Sequence, residues 1–169
     1  MPKPNLKEVP EHLHEEIELV QHENVKEAFA SHTKAVDFFK NIPQEKWDYR
    51  YAEGKWTIKG VVQHIIDGER IICNRALVIA RQDKTTPLPS FDEKLYAASA
   101  QADERTKSDL ISELEILQQS SKKLFESFTV EQLGARGTVS NYTIDVNALG
   151  FVVIGHCLHH MKILKERYL

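Results

Sequence analysis

The chain has 169 residues, of which 41% are hydrophobic and 28% are charged, with only 7 Gly and 6 Pro. This composition excludes collagenous, disordered and low-complexity chains, and the length predicts one globular domain covering residues 1–169. Lys and Arg total 22 against 25 Asp and Glu, which gives a net charge of −3. Because there is no basic surplus, neither nucleic acid nor an anionic membrane is an expected partner.

The sequence shows no signal for export or for crossing a membrane. Its N-terminal residues lack an apolar core, and the longest apolar stretch, residues 148–155, is far shorter than the ~20 residues of a membrane helix. Cys73 and Cys157 lie far apart, without the CxxC spacing of a thiolate zinc site or a disulfide framework. We therefore expect a cytoplasmic protein with reduced thiols.

Apolar residues at spacings of three and four predict four amphipathic helices. The first covers about Pro10 to Phe39, and the second begins after Thr57 and continues to roughly Gln82. The third begins after Thr106 and the fourth after Asp145, each a residue type that caps helix N-termini. Four such helices without a convincing sheet predict an all-α four-helix bundle.

The segments between the second and fourth helices are less regular. Residues Asp83–Phe91 contain two prolines and predict a loop long enough to act as a lid. A short helical turn is expected around Asp92–Ala98. Between Gly134 and Ile144 the apolar pattern shifts toward period two, which predicts a small hairpin or an extended loop.

Two histidines stand where the fourth helix should present apolar residues. His156 and His160 are one turn apart on its inner stripe, a spacing that can bring both ring nitrogens about 2 Å from one divalent metal. His64, at the edge of the second helix's apolar face, could reach them across the space left by Gly68. Three histidines without a fourth ligand are typical of an open, catalytic metal site, whereas hydrogen bonds to buried carbonyls are the alternative.

Other histidines could belong to such a site. His159 could replace His160 as the partner of His156, although a surface or dimer contact fits its position better. His32 lies in the apolar stripe of the first helix and could be a fourth ligand, but a hydrogen-bonded core histidine is the favoured interpretation. Cys157 points away from His156 and is expected to be a small core residue.

Two acidic residues follow His64 on the same predicted helix. Asp67 could orient a ligand imidazole, hold a metal-bound water or act as a base, but it could equally be a surface carboxylate. Glu69 falls within the apolar face, where a charge needs a partner. Candidate partners include Arg75, Arg105 and a tyrosine hydroxyl, and a buried structural ion pair is the favoured interpretation.

Taken together, three parts of the chain resemble the DinB-like superfamily of metal-binding four-helix bundles. They are Glu45–Ile71, Asp83–Glu93 and Ala148–Leu169. The most specific elements are the Trp56-Thr57 helix start, the His64-x-x-Asp67-x-Glu69 group and the terminal His156-x-x-x-His160.

The resemblance implies that His64, His156 and His160 hold one divalent metal, and imidazole ligands suit zinc or nickel. Members of known chemistry include a maleylpyruvate isomerase and transferases that use bacillithiol, mycothiol or glutathione. The resemblance therefore implies a metal-dependent enzyme acting on a small thiol and an electrophilic substrate. In that interpretation Asp67 orients a ligand or accepts a proton, and Asp83–Phe91 covers the substrate. A non-catalytic, metal-stabilised scaffold and a metal-dependent hydrolase are the alternatives.

The resemblance also implies a homodimer, for which Trp47, Tyr49 and Tyr51 are candidate contact residues and sedimentation is the test. Two positions depart from the family pattern. Gly60 weakens the usual start of the second helix, and Cys157 stands where related sequences often have Glu. Any role of that Glu beside the ligands is therefore in doubt for this chain.

Overall fold

Eight α-helices and one short hairpin make up the computed structural model, which describes residues 1–169. The elements are α1 (His14–Leu19), α2 (Val25–His32), α3 (Val36–Lys40), α4 (Ile58–Ala80), α5 (Glu93–Ser99), α6 (Lys107–Ser127), α7 (Val130–Gly134), β1 (Arg136–Val139), β2 (Tyr142–Asp145) and α8 (Val146–Arg167). The segments α1–α3 together form one side of a four-helix bundle, and α4, α6 and α8 form the other three. The expected fold class is confirmed.

The three long helices begin where the sequence predicts. Thr57, Thr106 and Asp145 each accept a hydrogen bond from the backbone N–H three residues further on, at 3.0, 3.1 and 2.7 Å. Each side chain therefore satisfies an N–H group that has no partner inside the helix. At α4 the donor is the amide of Gly60, so the absence of an acidic residue there does not prevent capping.

The prediction of one long first helix is wrong. Val20 has an extended backbone, and Asn24 begins a new helix by accepting a hydrogen bond from the amide of Lys26. Lys3 donates to the carbonyl of Val20 at 2.6 Å, and Pro2 forms an isolated β-bridge with Asn24. The N-terminal residues thus satisfy backbone groups that a continuous helix would have used internally.

The bundle contains a crossover connection. The Trp56 carbonyl lies near the Tyr168 hydroxyl and His64 near His156, so α4 and α8 run antiparallel. By contrast, α4 and α6 run parallel. Gln63, near the start of α4, bonds Arg105 just before α6, and Cys73, further along α4, bonds Ser121 further along α6. The loop at residues 83–91 and α5 make this crossover, which places both beside the α4–α8 interface.

Close packing fixes how α8 lies against its neighbours. A Cβ atom added to Gly155 would stand 1.9 Å from the Glu16 carbonyl oxygen, so α1 and α8 approach as only glycine allows. Trp47, predicted as an exposed dimer contact, is instead fully buried, and its indole N–H donates to the Ile42 carbonyl at 3.4 Å. Of the three proposed aromatic contacts, only Tyr49 is exposed.

The predicted hairpin is present as the antiparallel pair β1 and β2. Its turn at Ser140 has a positive φ of 52°, as a tight connection requires. Gly137 on β1 packs against Ile79, which brings the hairpin onto the C-terminal part of α4. No helix of the chain has both the length and the apolarity needed to span a bilayer.

Candidate metal centre

Three imidazole rings from α4 and α8 converge at one point. The Nε2 atom of His156 lies 3.0 Å from that of His64 and 3.2 Å from that of His160. The ligand atoms of all three rings lie within 4.8 Å of one another. The structure therefore brings together the three histidines singled out from the sequence.

The helix surfaces around the rings explain this convergence. A Cβ atom at Gly68 would lie 2.9 Å from Cε1 of His156, so the ring occupies the space that glycine leaves on α4. On the other side, the indole of Trp56 packs on the His64 ring with centroids 4.8 Å apart. The rings are thereby held at the seam between the two helices.

Burial keeps these imidazoles neutral near pH 7. Burial, together with a smaller contribution from the neighbouring imidazoles, lowers the pKa of His156 to about 3 and that of His160 to about 2. Burial also lowers the pKa of His64, although the charges of Glu93 and Asp67 oppose the shift. A neutral imidazole has a free lone pair, which is the form that binds a metal.

This donor set fits a divalent cation. It contains three neutral nitrogen atoms and no thiolate or carboxylate, a combination that suits zinc or nickel. Three protein ligands also leave coordination positions free for a small molecule, as in catalytic sites. Without a cation, the three converging Nε2 atoms could be held together only by hydrogen bonds, and each neutral imidazole has a single N–H to donate.

Two further histidine candidates lie outside the group. Nδ1 of His159 lies 3.4 Å from a carboxylate oxygen of Glu15 on α1. His32 is buried, and its Nε2 atom lies 3.1 Å from Oε2 of Glu69. The geometry thus groups His160, rather than His159, with His156.

The expected partners of Glu69 are wrong. Its carboxylate pairs with His32 on α2, whereas Arg75 donates to the Pro89 carbonyl at 2.7 Å. Arg105 pairs with the carboxylates of Asp109 and Glu113 on α6. The sequence placed Glu69 correctly in the core but could not show which neighbouring helix supplies its partner.

Neither cysteine has the character of a nucleophile. Burial raises the pKa of Cys73 to about 12, and it raises the pKa of Cys157 as well; the charge of Glu69 adds to both shifts. Both thiols are free and buried, as expected for small core residues. Any reacting thiol must therefore come from a substrate.

Asp67 lies beside the histidines and is held by a chain of hydrogen bonds. Its Oδ1 accepts from the Gln63 side chain at 3.0 Å, and Oε1 of Gln63 accepts from Arg105 at 2.6 Å. Asp67 and His64 line the same small cleft. The carboxylate is therefore fixed close to the triad, but its direct partner is Gln63, which the sequence analysis did not identify.

Two cavities open onto the triad and share no lining residue. Cavity A, about 380 Å³, includes His156, Ile72, Arg75 and Tyr142. Cavity B, about 520 Å³, includes His160 and the aromatic residues Tyr51, Trp56 and Tyr168. Different faces of the triad are thus open to different small molecules. Arg75 was considered in the sequence only as a partner for Glu69, and Tyr142 only as a strand residue.

Replacing Gly68 with alanine is expected to weaken metal binding at least tenfold. The added methyl group would overlap the His156 ring and move Nε2 away from its two neighbours. Gly134→Ala, a change in α7 away from the triad, is the matched control, because the atoms nearest to its Cβ belong to the Met1 side chain, at 4.0 Å. Competition with a coloured chelator measures both affinities; equal values in the two variants would contradict the expectation.

The chain is similar to known proteins both in sequence and in fold. The DinB superfamily model matches residues 30–164. YfiT from Bacillus subtilis, described as a probable metal-dependent hydrolase with an unusual four-helix bundle topology, is 21% identical with a TM-score of 0.65; the similarity covers 98% of this chain and 92% of YfiT. A DinB-like protein from the same organism is 20% identical with a TM-score of 0.59, covering 84% and 87% of the two chains. No curated protein matches.

Proposed function

The chain belongs to the DinB superfamily, and from this premise we propose that it is a metal-dependent enzyme whose His64, His156 and His160 hold one divalent cation, zinc or nickel. The observation that carries the proposal is the convergence of three neutral imidazole nitrogens between two cavities, one lined by His156 and the other by His160. A purely structural ion is normally closed by a fourth protein ligand, and His32, the inward candidate, is paired with Glu69 instead.

Within this class, we propose transfer of a small thiol to an electrophile. When bound, the cation lowers the pKa of a coordinated thiol, so that a nucleophilic thiolate exists at neutral pH. Two separate cavities support a reaction with two organic substrates, because cavity A and cavity B reach the triad past different histidines.

The chain's own residues position the substrates and handle the proton. In this proposal Asp67, which accepts a hydrogen bond from Gln63 and lines the same cleft as His64, accepts a proton at its carboxylate. Ser90 and Phe91, at the end of the crossover loop, line cavity A and cover it from one side. The aromatic wall of cavity B offers an apolar surface to the electrophile.

The decisive experiment is a turnover screen with metal-loaded protein. Purified chain is loaded with zinc or nickel and mixed with glutathione, bacillithiol or mycothiol and 1-chloro-2,4-dinitrobenzene. A carbon–sulfur bond forms, chloride leaves and the thiol proton is released, and the coloured product is followed. We expect turnover with at least one thiol and its loss after chelation or in His64→Ala. No metal-dependent turnover with any thiol would contradict the transferase proposal.

Hydrolysis is the second candidate, since YfiT is described as a probable metal-dependent hydrolase. It requires one organic substrate and water, so a nitrophenyl ester should then be cleaved in a metal-dependent way without any thiol. If the metal raises thermal stability but neither reaction occurs, a structural role for the cation is favoured.

Replacing Asp67 with asparagine is expected to lower kcat by about 100-fold while the cation stays bound. Asparagine keeps the size and can still bond Gln63, but it cannot accept a proton. Asp48→Asn, a change at an exposed carboxylate that pairs with Lys59 and lines neither cavity, serves as the control. Unchanged kcat in Asp67→Asn would exclude the proposed role, and elemental analysis confirms that metal content is equal.

A further inference from the structure

Arg75 is a buried cation that forms no ion pair with a carboxylate of the chain. The residue is only 8% exposed, and no carboxylate lies within ion-pair distance of its guanidinium group. The Pro89 carbonyl accepts one hydrogen bond from it at 2.7 Å, and the guanidinium lies over the Phe91 ring, 6.0 Å from its centroid. Because a buried guanidinium needs negative charge and has five N–H donors, most of its binding capacity is unused.

The unused donors belong to a side chain that lines cavity A. Along α4, Gly68, Ile72 and Arg75 face this cavity at the spacing of one helical face. Gly68 contacts the His156 ring, so Arg75 lies seven residues, or roughly 10 Å of helix, from the triad end of the cavity. A ligand of a few carbon atoms can reach both ends.

The same spacing recurs on the facing helix. Leu149 and Val152 line the cavity together with His156, and the spacing of the three residues puts them on one face of α8. With Ile72 from α4, they form an apolar middle section between the arginine and the histidine. The cavity therefore suits a molecule with an anionic end, a short apolar chain and a reactive end.

The charges around cavity A restrict the anion. Tyr142 lines the cavity near Arg75; burial raises its pKa and the arginine charge partly offsets that rise, so its hydroxyl remains a hydrogen-bond donor at neutral pH. Glu16 and Glu93 line the cavity too. These carboxylates oppose any anion, and a phosphate dianion more than a monocarboxylate, so a single carboxylate is the anion that one guanidinium group can best balance.

We propose that Arg75 is the specificity residue of cavity A and binds the carboxylate of a small thiol substrate whose sulfur lies at the His156 end. This assignment rests on the proposed function, because it takes the thiol as one of two substrates. The larger, aromatic cavity B then receives the electrophile.

Two probes of equal length separate the carboxylate from the thiol. Cobalt-loaded protein is titrated with 4-mercaptobutanoate and with 4-mercaptobutan-1-ol, and binding is followed by the change in the visible cobalt spectrum. We expect the acid to bind at least about tenfold more tightly than the alcohol. In Arg75→Gln this preference should vanish while the affinity for the alcohol stays the same. Arg81→Gln, at an exposed arginine of the same helix end, should keep the preference.

The outcomes distinguish the assignment from the proposed function. If both thiols bind wild-type protein equally, Arg75 does not select a carboxylate, yet the thiol proposal stands. If neither thiol changes the spectrum of protein that holds one cobalt per chain, the thiol proposal itself fails. Competition by inorganic phosphate as strong as that by butanoate would overturn the choice of a monocarboxylate.

A structural role for Arg75, anchoring the crossover loop through Pro89, makes a different prediction. Replacement of an unpaired buried cation by methionine should then lower the urea midpoint and leave the acid-to-alcohol preference intact. We expect the reverse: an equal or higher midpoint for Arg75→Met and loss of the preference. Arg75→Lys, which keeps the charge, should retain part of the preference and verifies that the cavity is still formed.

Discussion

His156→Gln is expected to bind divalent metal about 100-fold more weakly than wild type, for which we expect one ion per chain. His156 is the central ring of the triad, because its Nε2 atom lies within 3.2 Å of the corresponding atoms of both His64 and His160. Its removal leaves two imidazoles on separate helices without the ring that connects them. Elemental analysis after purification without a metal column measures the bound ion directly.

His159→Gln is the matched control for this loss. It removes an imidazole from the same turn of α8, but that ring faces Glu15 and lies outside the triad. We expect full occupancy in this variant and a strong loss in His64→Gln and His160→Gln as well. Full occupancy in all three triad variants would exclude the site, and full occupancy in His64→Gln alone would confine it to α8.

The sequence predicted the triad because helical geometry determines which residues share a face. His156 and His160 are four residues apart, and that spacing alone puts both rings on one side of α8. The start of α8 followed from Asp145, whose side chain bonds the amide of Ala148. Features that depend on one helix were therefore predictable.

Features that depend on how helices lie against one another were not. Glu69 was correctly placed in the core, but its partner His32 belongs to another helix, whose rotation the sequence does not determine. The break after Val20 is set by contacts with Pro2 and Lys3 at the start of the chain, which local periodicity cannot show. That Arg75 has no carboxylate partner depends on every helix and loop around it, and the sequence does not show how these pack.

The His32–Glu69 pair makes the second large effect predictable. Both side chains are almost fully buried, and their second polar atoms, Nδ1 of His32 and Oε1 of Glu69, have no partner. The pair therefore depends on a single bond of 3.1 Å across α2 and α4. Glu69→Ala should lower the free energy of unfolding by about 3 kcal/mol, since it leaves a buried imidazole unpaired and opens a cavity.

Replacing both partners should lower the free energy of unfolding much less than replacing one. In the double variant His32→Leu/Glu69→Leu, apolar side chains replace the isolated pair, and we expect stability close to that of wild type in urea unfolding. Both variants should still bind one metal per chain, because neither residue belongs to the triad. Loss of metal from a folded His32→Leu/Glu69→Leu variant would instead show that His32 or Glu69 serves the cation as a fourth ligand, and with it the case for an open, catalytic site would fail.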